Sequence, residues 1–187
     1  MSNKKGMLIV FSGPSGVGKD TIFRHLVESG VELKKGITAT TRGKRPHEKE
    51  GKDYYFKTPL EFDRMIENGE LLEWNTYNGN KYGTLRSVVE NGLKNGEKLV
   101  LVIDVNGAQN IKKQYPDAFM VFIKPPSIEA LIERITKRGA ISAADMKNRV
   151  KIAENEMKQM GKYDFIIEND NLDRAVELLK EKIEEES

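Results

Sequence analysis

The feature that most constrains this 187-residue chain lies near its amino terminus, where a short apolar run meets a glycine-rich turn. Met7-Leu8-Ile9-Val10-Phe11 is partly β-branched and too short for a helix, so it reads as a buried strand. Gly13-Pro14-Ser15-Gly16-Val17-Gly18-Lys19 follows at once and fills the first seven positions of the phosphate-loop pattern G-x-x-x-x-G-K-[ST]. Thr21 to Glu28 then places Ile22, Phe23, Leu26 and Val27 on one helical face, and Gly30 ends the helix. In such a strand–loop–helix unit the glycines let successive backbone N–H groups turn inward. The helix start adds partial positive charge, and Lys19 reaches terminal phosphates. An ordinary strand-to-helix turn is the bland alternative, and both flanks argue against it.

The same rhythm recurs downstream. Leu99 to Ile103, Ala118 to Ile123 and Phe165-Ile166-Ile167 are further apolar strands. Amphipathic helices lie around them: Ile128, Leu131, Ile132 and Ile135 follow helical spacing, as do Leu172, Ala175, Val176 and Leu179. Uninterrupted apolar strands alternating with helices imply an α/β fold, a parallel sheet covered on both faces. Two stretches depart from it. Lys34 to Lys57 holds eight basic and three acidic residues with turn-prone Gly43, Pro46 and Gly51, and reads as a small, mostly β excursion. It leads into Thr58-Pro59-Leu60-Glu61, a capping-box start for a helix ending at Asn68-Gly69. Around Gly139 the chain is basic and poor in apolar residues, and Ser142 to Asp145 cap the next helix.

Composition narrows the function. The chain has 31 Lys and Arg against 29 Asp and Glu, a net +2, which argues against a broad nucleic-acid footprint but not against a small anionic substrate. It has no Cys, so disulfides, thiolate zinc sites and a Cys nucleophile are excluded. The apolar run at Met7 is too short for a signal peptide or a membrane span, and a cytoplasmic location is expected.

Two carboxylates near the loop bear on a metal. The eighth loop position is Asp20 rather than Ser or Thr, with Thr21 after it, so either the Asp20 carboxylate or the Thr21 hydroxyl is left to face Mg²⁺. Asp104, leaving the Leu99 strand, suits a second metal-side carboxylate, and equally a helix cap before Gly107. For an acceptor, the excursion concentrates Arg42, Arg45, Tyr54 and Tyr82, whose forked and hydroxyl donors match a phosphate. A solvated basic surface over aromatic core residues is the alternative that spacing alone would favour.

Taken together, Ser12 to Lys19, Thr40-Thr41-Arg42-x-x-Arg45, Gly51-Lys52-Asp53-Tyr54-Tyr55-Phe56, Leu72-Glu73-Trp74 and Tyr82-Gly83-Thr84 resemble the motifs of guanylate kinases of the bacterial type. Pro125-Pro126-Ser127, Arg138-Gly139 and Glu168-Asn169-Asp170 continue the similarity over nearly the whole chain. The resemblance implies one domain, a P-loop NTPase core (1–33, 96–124 and 151–187) with an inserted lobe for the nucleoside monophosphate (34–95) and a small lid (125–150). It implies Mg²⁺-dependent transfer of the terminal phosphoryl of ATP to GMP, in a monomer or homodimer with no nucleic-acid or membrane partner. Gly13, Pro14, Ser15, Gly16, Val17, Gly18, Lys19, Asp20, Thr21 and Asn169 would bind ATP. Arg42, Arg45, Tyr54 and Tyr82 would hold the GMP phosphate, Thr38 and Glu73 would read guanine, and Thr84 and Asp104 would add contacts. Lys19, Arg42, Arg134, Arg138 and Arg149 would be catalytic, and Asp20, Thr21 and Asp104 would face the metal.

Two positions depart from the family pattern, Asp20 and Val102, the latter where an acidic residue usually stands two places before Asp104. A kinase-like interaction module, or a nucleoside-monophosphate kinase for another base, is the alternative; the intact donor loop speaks against the first and Glu73 with Thr38 against the second. A carboxylate at position 20 sets negative charge beside the nucleotide phosphates and is expected to slow turnover without abolishing it. Steady-state kinetics of Asp20→Gly and Asp20→Ser check this: kcat/KM rises in at least one of them, and no gain in either refutes it.

Overall fold

The computed structural model describes residues 6–77, 79–137, 139 and 141–187. The run at Met7 forms strand β1 (Met7–Ser12), and it lies at the centre of a five-stranded parallel sheet. The other strands are β2 (Lys34–Lys35), β7 (Lys98–Val102), β8 (Phe119–Lys124) and β9 (Phe165–Glu168), in the order β2-β7-β1-β8-β9. Ile9 lies between Val100 and Phe119, and Phe11 between Val102 and Val121.

Alternation along β1 explains why the run is apolar throughout. Ile9 and Phe11 point into one cluster with Ile22 and Leu26 of helix α1 (Lys19–Glu28), Leu131 of α5 (Ile128–Lys137), and Val176, Leu179 and Ile183 of α7 (Leu172–Glu185). Leu8 and Val10 point into a second cluster with Val89 of α3 (Arg86–Lys94) and Val105, Ala108 and Ile111 of α4 (Val105–Gln114). Leu8 to Phe11 are all buried, and burying each such side chain contributes about 1.5–3 kcal/mol. The expected apolar faces hold with two exceptions. Val27 on α1 and Ile166 on edge strand β9 stay exposed, because neither has a helix packed over it.

The excursion is a second, four-stranded sheet in the order β4-β3-β6-β5, made of β3 (Thr38–Thr40), β4 (Tyr55–Phe56), β5 (Leu71–Tyr77) and β6 (Asn80–Leu85). Helix α2 (Pro59–Glu67) backs it, and Phe62 and Met65 pack with Ala39 and Leu71. The capping box is present: the Thr58 hydroxyl accepts from the Glu61 N–H at 3.2 Å and the Glu61 carboxylate from the Thr58 N–H at 2.7 Å. Between β3 and β4 the chain is largely irregular rather than mostly β.

Two segments inside the expected 34–95 lobe attach to the core instead. Lys34–Lys35 pairs with Leu99 and Val100 at the sheet edge, and α3 packs Val89 on the core sheet. Neither was legible, since a two-residue basic strand carries no apolar period. On the far side, α6 (Ala143–Met157) starts at Ser142, whose hydroxyl accepts from the Asp145 N–H at 3.1 Å. A single turn (Met160–Lys162) then leads to β9. Among the described residues, no helix is long and apolar enough to cross a membrane.

Candidate active site

The glycine loop sits at the carboxyl end of the central strand, where α1 leaves the sheet. Gly13 and Gly18 take φ of 132° and 102°. A Cβ at Gly13 would lie 2.1 Å from the Ile123 carbonyl oxygen, and one at Gly18 would lie 2.6 Å from Asn169 Nδ2. Glycine is therefore demanded here both by conformation and by close approach. Lys19 Nζ donates to the carbonyls of Gly13 at 2.6 Å and Pro14 at 3.0 Å, which arches its side chain over the loop. Ser15 at the loop tip is exposed, while Pro14 and Val17 are buried.

Asn169 and Arg134 brace the loop from outside. Asn169, buried at the end of β9, donates to the Val17 carbonyl at 2.8 Å. Arg134 of α5 donates to the Asn169 carbonyl at 2.6 Å and to the Val17 carbonyl at 3.3 Å. Both side chains were singled out for contact with ATP; here they hold the backbone that would contact it. Arg149 of α6 lines an open cleft of about 560 Å³ with Thr76 and Tyr77 of the β5–β6 hairpin and Ile135 of α5. Arg138 lies outside the described residues. A larger cavity, about 1170 Å³, opens at the amino ends of β1, β7 and β8, lined by Met7, Lys98 and Phe119 among others, and contains none of the expected site residues.

The second sheet lines up the acceptor candidates by register. Thr38 is paired with Thr84 and Thr84 with Glu73, so the three lie in one row across β3, β6 and β5. Two residues on, Thr40, Tyr82 and Asn75 form the next row of the same face. Glu73 is 8% exposed and accepts a short hydrogen bond from the Thr84 hydroxyl. Burial, with a smaller contribution from nearby Asp104, pushes its carboxyl up to about 7, against the pull of the Thr84 hydrogen bond. Glu73 is thus not a surface carboxylate ending a hairpin.

Helix α4 meets this row. Asp104 is its N-cap: Oδ1 accepts from the Gly107 N–H at 2.8 Å, and Oδ2 accepts from Asn75 Nδ2 at 2.9 Å. The cap and the link to the second sheet come from one carboxylate. Gly107 faces Glu73 so closely that a Cβ there would lie 2.5 Å from Glu73 Oε2. The helix cap expected at Asp104 before Gly107 is present, but the contact of Gly107 with Glu73, and Asn75 altogether, were absent from the sequence expectations. Only the register could reveal Asn75; the glycine's signal is its place in the first turn of a helix, where a small residue admits close approach.

The phosphate candidates are held by a third residue that sequence reasoning missed. Glu48 is 8% exposed and receives both forks of Arg42, at 2.6 and 3.0 Å, and the Arg45 N–H at 2.8 Å. The Arg42 hydrogen bonds hold the Glu48 carboxyl down to about 2. The Arg42 guanidinium lies 5.3 Å from the centre of the Tyr54 ring, and Tyr54 meets Tyr82 edge-on at 6.1 Å. Arg42 is therefore fixed in rotamer, while the Arg45 side chain is exposed.

Asp20, whose side chain is 71% exposed, pairs with Lys35 of β2 at 2.8 Å. Val102 is partly buried and packs at the border of the first core cluster. Behind the loop the buried Tyr163 hydroxyl lies beside Ser12 and Gln109, and Glu156 Oε2 is buried without a hydrogen-bond partner among the described residues. Glu156, on α6, is raised by burial and feels both Lys19 and Asp104. Among the described residues no group of three acidic or imidazole side chains could hold a metal.

The glycine loop and the row of Thr38, Thr84 and Glu73 make up the candidate site, and comparison with known proteins gives its family. The family model described as guanylate kinase matches residues 5–186. The chain is 42% identical to the guanylate kinase of Oceanobacillus iheyensis over 186 residues, covering 100% of this chain and 90% of the relative. It is 45% identical to the guanylate kinase of Caldanaerobacter subterraneus subsp. tengcongensis over 177 residues, covering 95% of this chain and 86% of the relative. The crystal structure of guanylate kinase from Anaplasma phagocytophilum superposes with a TM-score of 0.79 at 31% identity, covering 98% of this chain and 87% of that one. With the family matched from end to end and the loop and acceptor row built in three dimensions, this chain belongs to the guanylate kinase family.

Proposed function

We propose that the protein transfers the terminal phosphoryl group of Mg-ATP to GMP, giving ADP and GDP. The observation that carries this reading is Glu73, a buried carboxylate in register with Thr84 and Thr38 on the face that also bears Tyr82. Guanine offers N1–H and a 2-amino group to a carboxylate and O6 to a hydroxyl. Adenine offers neither donor, so it would leave the desolvated Glu73 unpaired.

Arg42, Arg45, Tyr54 and Tyr82 would take the GMP phosphate. Because Glu48 already fixes Arg42, little side-chain entropy is lost on binding. The Gly13–Lys19 loop would take the donor phosphates, with Lys19 turning from its own loop carbonyls to the terminal phosphoryl. Arg134 already sits at the loop, and Arg138 and Arg149 would approach from the lid to balance charge in flight. No general base is required, since a monophosphate is largely ionised near neutral pH. Asp104 and the Thr21 hydroxyl fit the metal side, and Asp20 would join them only by leaving Lys35. When bound there, Mg²⁺ would supply charge neutralisation. Closing the lid over the cleft beside Arg149 would keep water from competing as acceptor.

A coupled ADP-release assay offering GMP, dGMP and AMP tests the reading: turnover with GMP exceeds that with AMP by at least about a thousandfold, and comparable rates with AMP would overturn the base assignment. Gly107→Ala drives a methyl into Glu73 and is expected to raise the KM for GMP about tenfold or more while changing kcat less. The Glu73 carboxyl, raised by burial to about 7 with Asp104 as the other charge nearby, must ionise to receive guanine. GMP affinity therefore rises about tenfold between pH 6 and 8 beyond the change seen in Glu73→Gln. Stability moves oppositely. A carboxyl whose pKa is raised in the fold from 4.5 to about 7 stabilises below 4.5 and loses that contribution as pH climbs to about 7, which thermal melts against Glu73→Gln will read.

A further inference from the structure

Position 20 is where the phosphate-loop pattern asks for a hydroxyl, and here it carries a negative charge directly after the loop lysine. Left unpaired, that charge would oppose a bound polyphosphate. The fold provides its partner from a different element. Lys35 ends the edge strand β2, in register with Val100, and its Nζ reaches Asp20 Oδ1 at 2.8 Å. The backbone beneath it is anchored, since the Gly36 N–H donates to the Val100 carbonyl at 2.8 Å. A Cβ at Gly36 would lie 2.4 Å from Leu101 Cδ2, so the chain end of β2 is pressed onto the sheet. The Lys19 ammonium, by contrast, donates to the Gly13 and Pro14 carbonyls.

We infer that Lys35 is a positioning and charge-compensating residue for the donor loop: it neutralises Asp20 and so preserves the loop's affinity for nucleotide polyphosphate. The pair is within electrostatic reach of the acceptor candidates: burial raises the Tyr54 hydroxyl most, with Asp20 adding to the rise and Lys35 opposing it. With the Asp20 side chain 71% exposed and that of Lys35 31%, the pair contributes little to folding, and its effect falls on phosphate binding. The same exposure makes the effect weaken with salt. The inference rests on the loop being a donor-nucleotide site.

The test is a double-mutant cycle on the full chain with Lys35→Gln, Asp20→Ser and both together. Mg-ADP affinity is measured by calorimetry, KM for ATP and kcat by steady-state kinetics, and melting temperature in parallel. Lys35→Gln is expected to weaken Mg-ADP binding about tenfold at low salt and to raise the KM for ATP more than it lowers kcat, with melting nearly unchanged. Asp20→Ser alone tightens binding less than threefold, and the double variant returns to within about twofold of the native affinity. A double variant as weak as Lys35→Gln would overturn compensation and make Lys35 a phosphate contact in its own right. No effect of Lys35→Gln would overturn it as well. Loss of Mg-ADP binding in the native chain would instead remove the donor-site reading, and the inference with it.

Discussion

The close approach of the glycine loop to the neighbouring strand is the constraint on which the rest of the structure depends. The Gly13 backbone passes so near the Ile123 carbonyl that no side chain fits, which ties the loop to β8 as well as to β1. Because β1 is central and buried on both faces, the loop inherits the rigidity of the core rather than the mobility of a surface turn. Asn169 and Arg134 complete the clamp from β9 and α5, so four elements converge on one phosphate cradle.

A site for two phosphorylated ligands must store charge without collapsing on itself, and several of its charged groups are held in advance. Arg42 is held by Glu48 and Asp20 by Lys35, while Asp104 has both oxygens engaged by a helix N–H and by Asn75. Glu73 is the contrast. It has one hydroxyl partner and no cation, and burial keeps its proton on to about pH 7. A buried carboxylate held by so few partners would discriminate strongly between a base that can pair with it and one that cannot.

Much of the architecture was legible because parallel strands buried on both faces must be apolar throughout, and Met7 to Phe11, Leu99 to Ile103 and Ala118 to Ile123 show that run openly. The capping box at Thr58 and the Ser142 cap were legible for the same kind of reason, being local hydrogen-bond chemistry. Lys34–Lys35 was not, because its place at the sheet edge is set by β7 rather than by its own side chains. Nor was the exposure of Val27 and Ile166, which depends on which helices happen to cover them.

The candidate site divides along the same line. By itself the sequence determined the glycine loop and the basic and aromatic character of the acceptor segment, since both rest on residue type at short spacing, whereas Glu73 as a carboxylate suited to guanine came only through the resemblance to a family. Only the tertiary structure decided which groups hold those residues in place: Glu48 for Arg42, Gly107 and Thr84 for Glu73, Asn75 for Asp104, and Lys35 for Asp20. Most of these partners come from elements far apart in the chain, and a pairing across a sheet or between lobes leaves no local pattern, because distance in space is set by register and packing and not by spacing along the backbone.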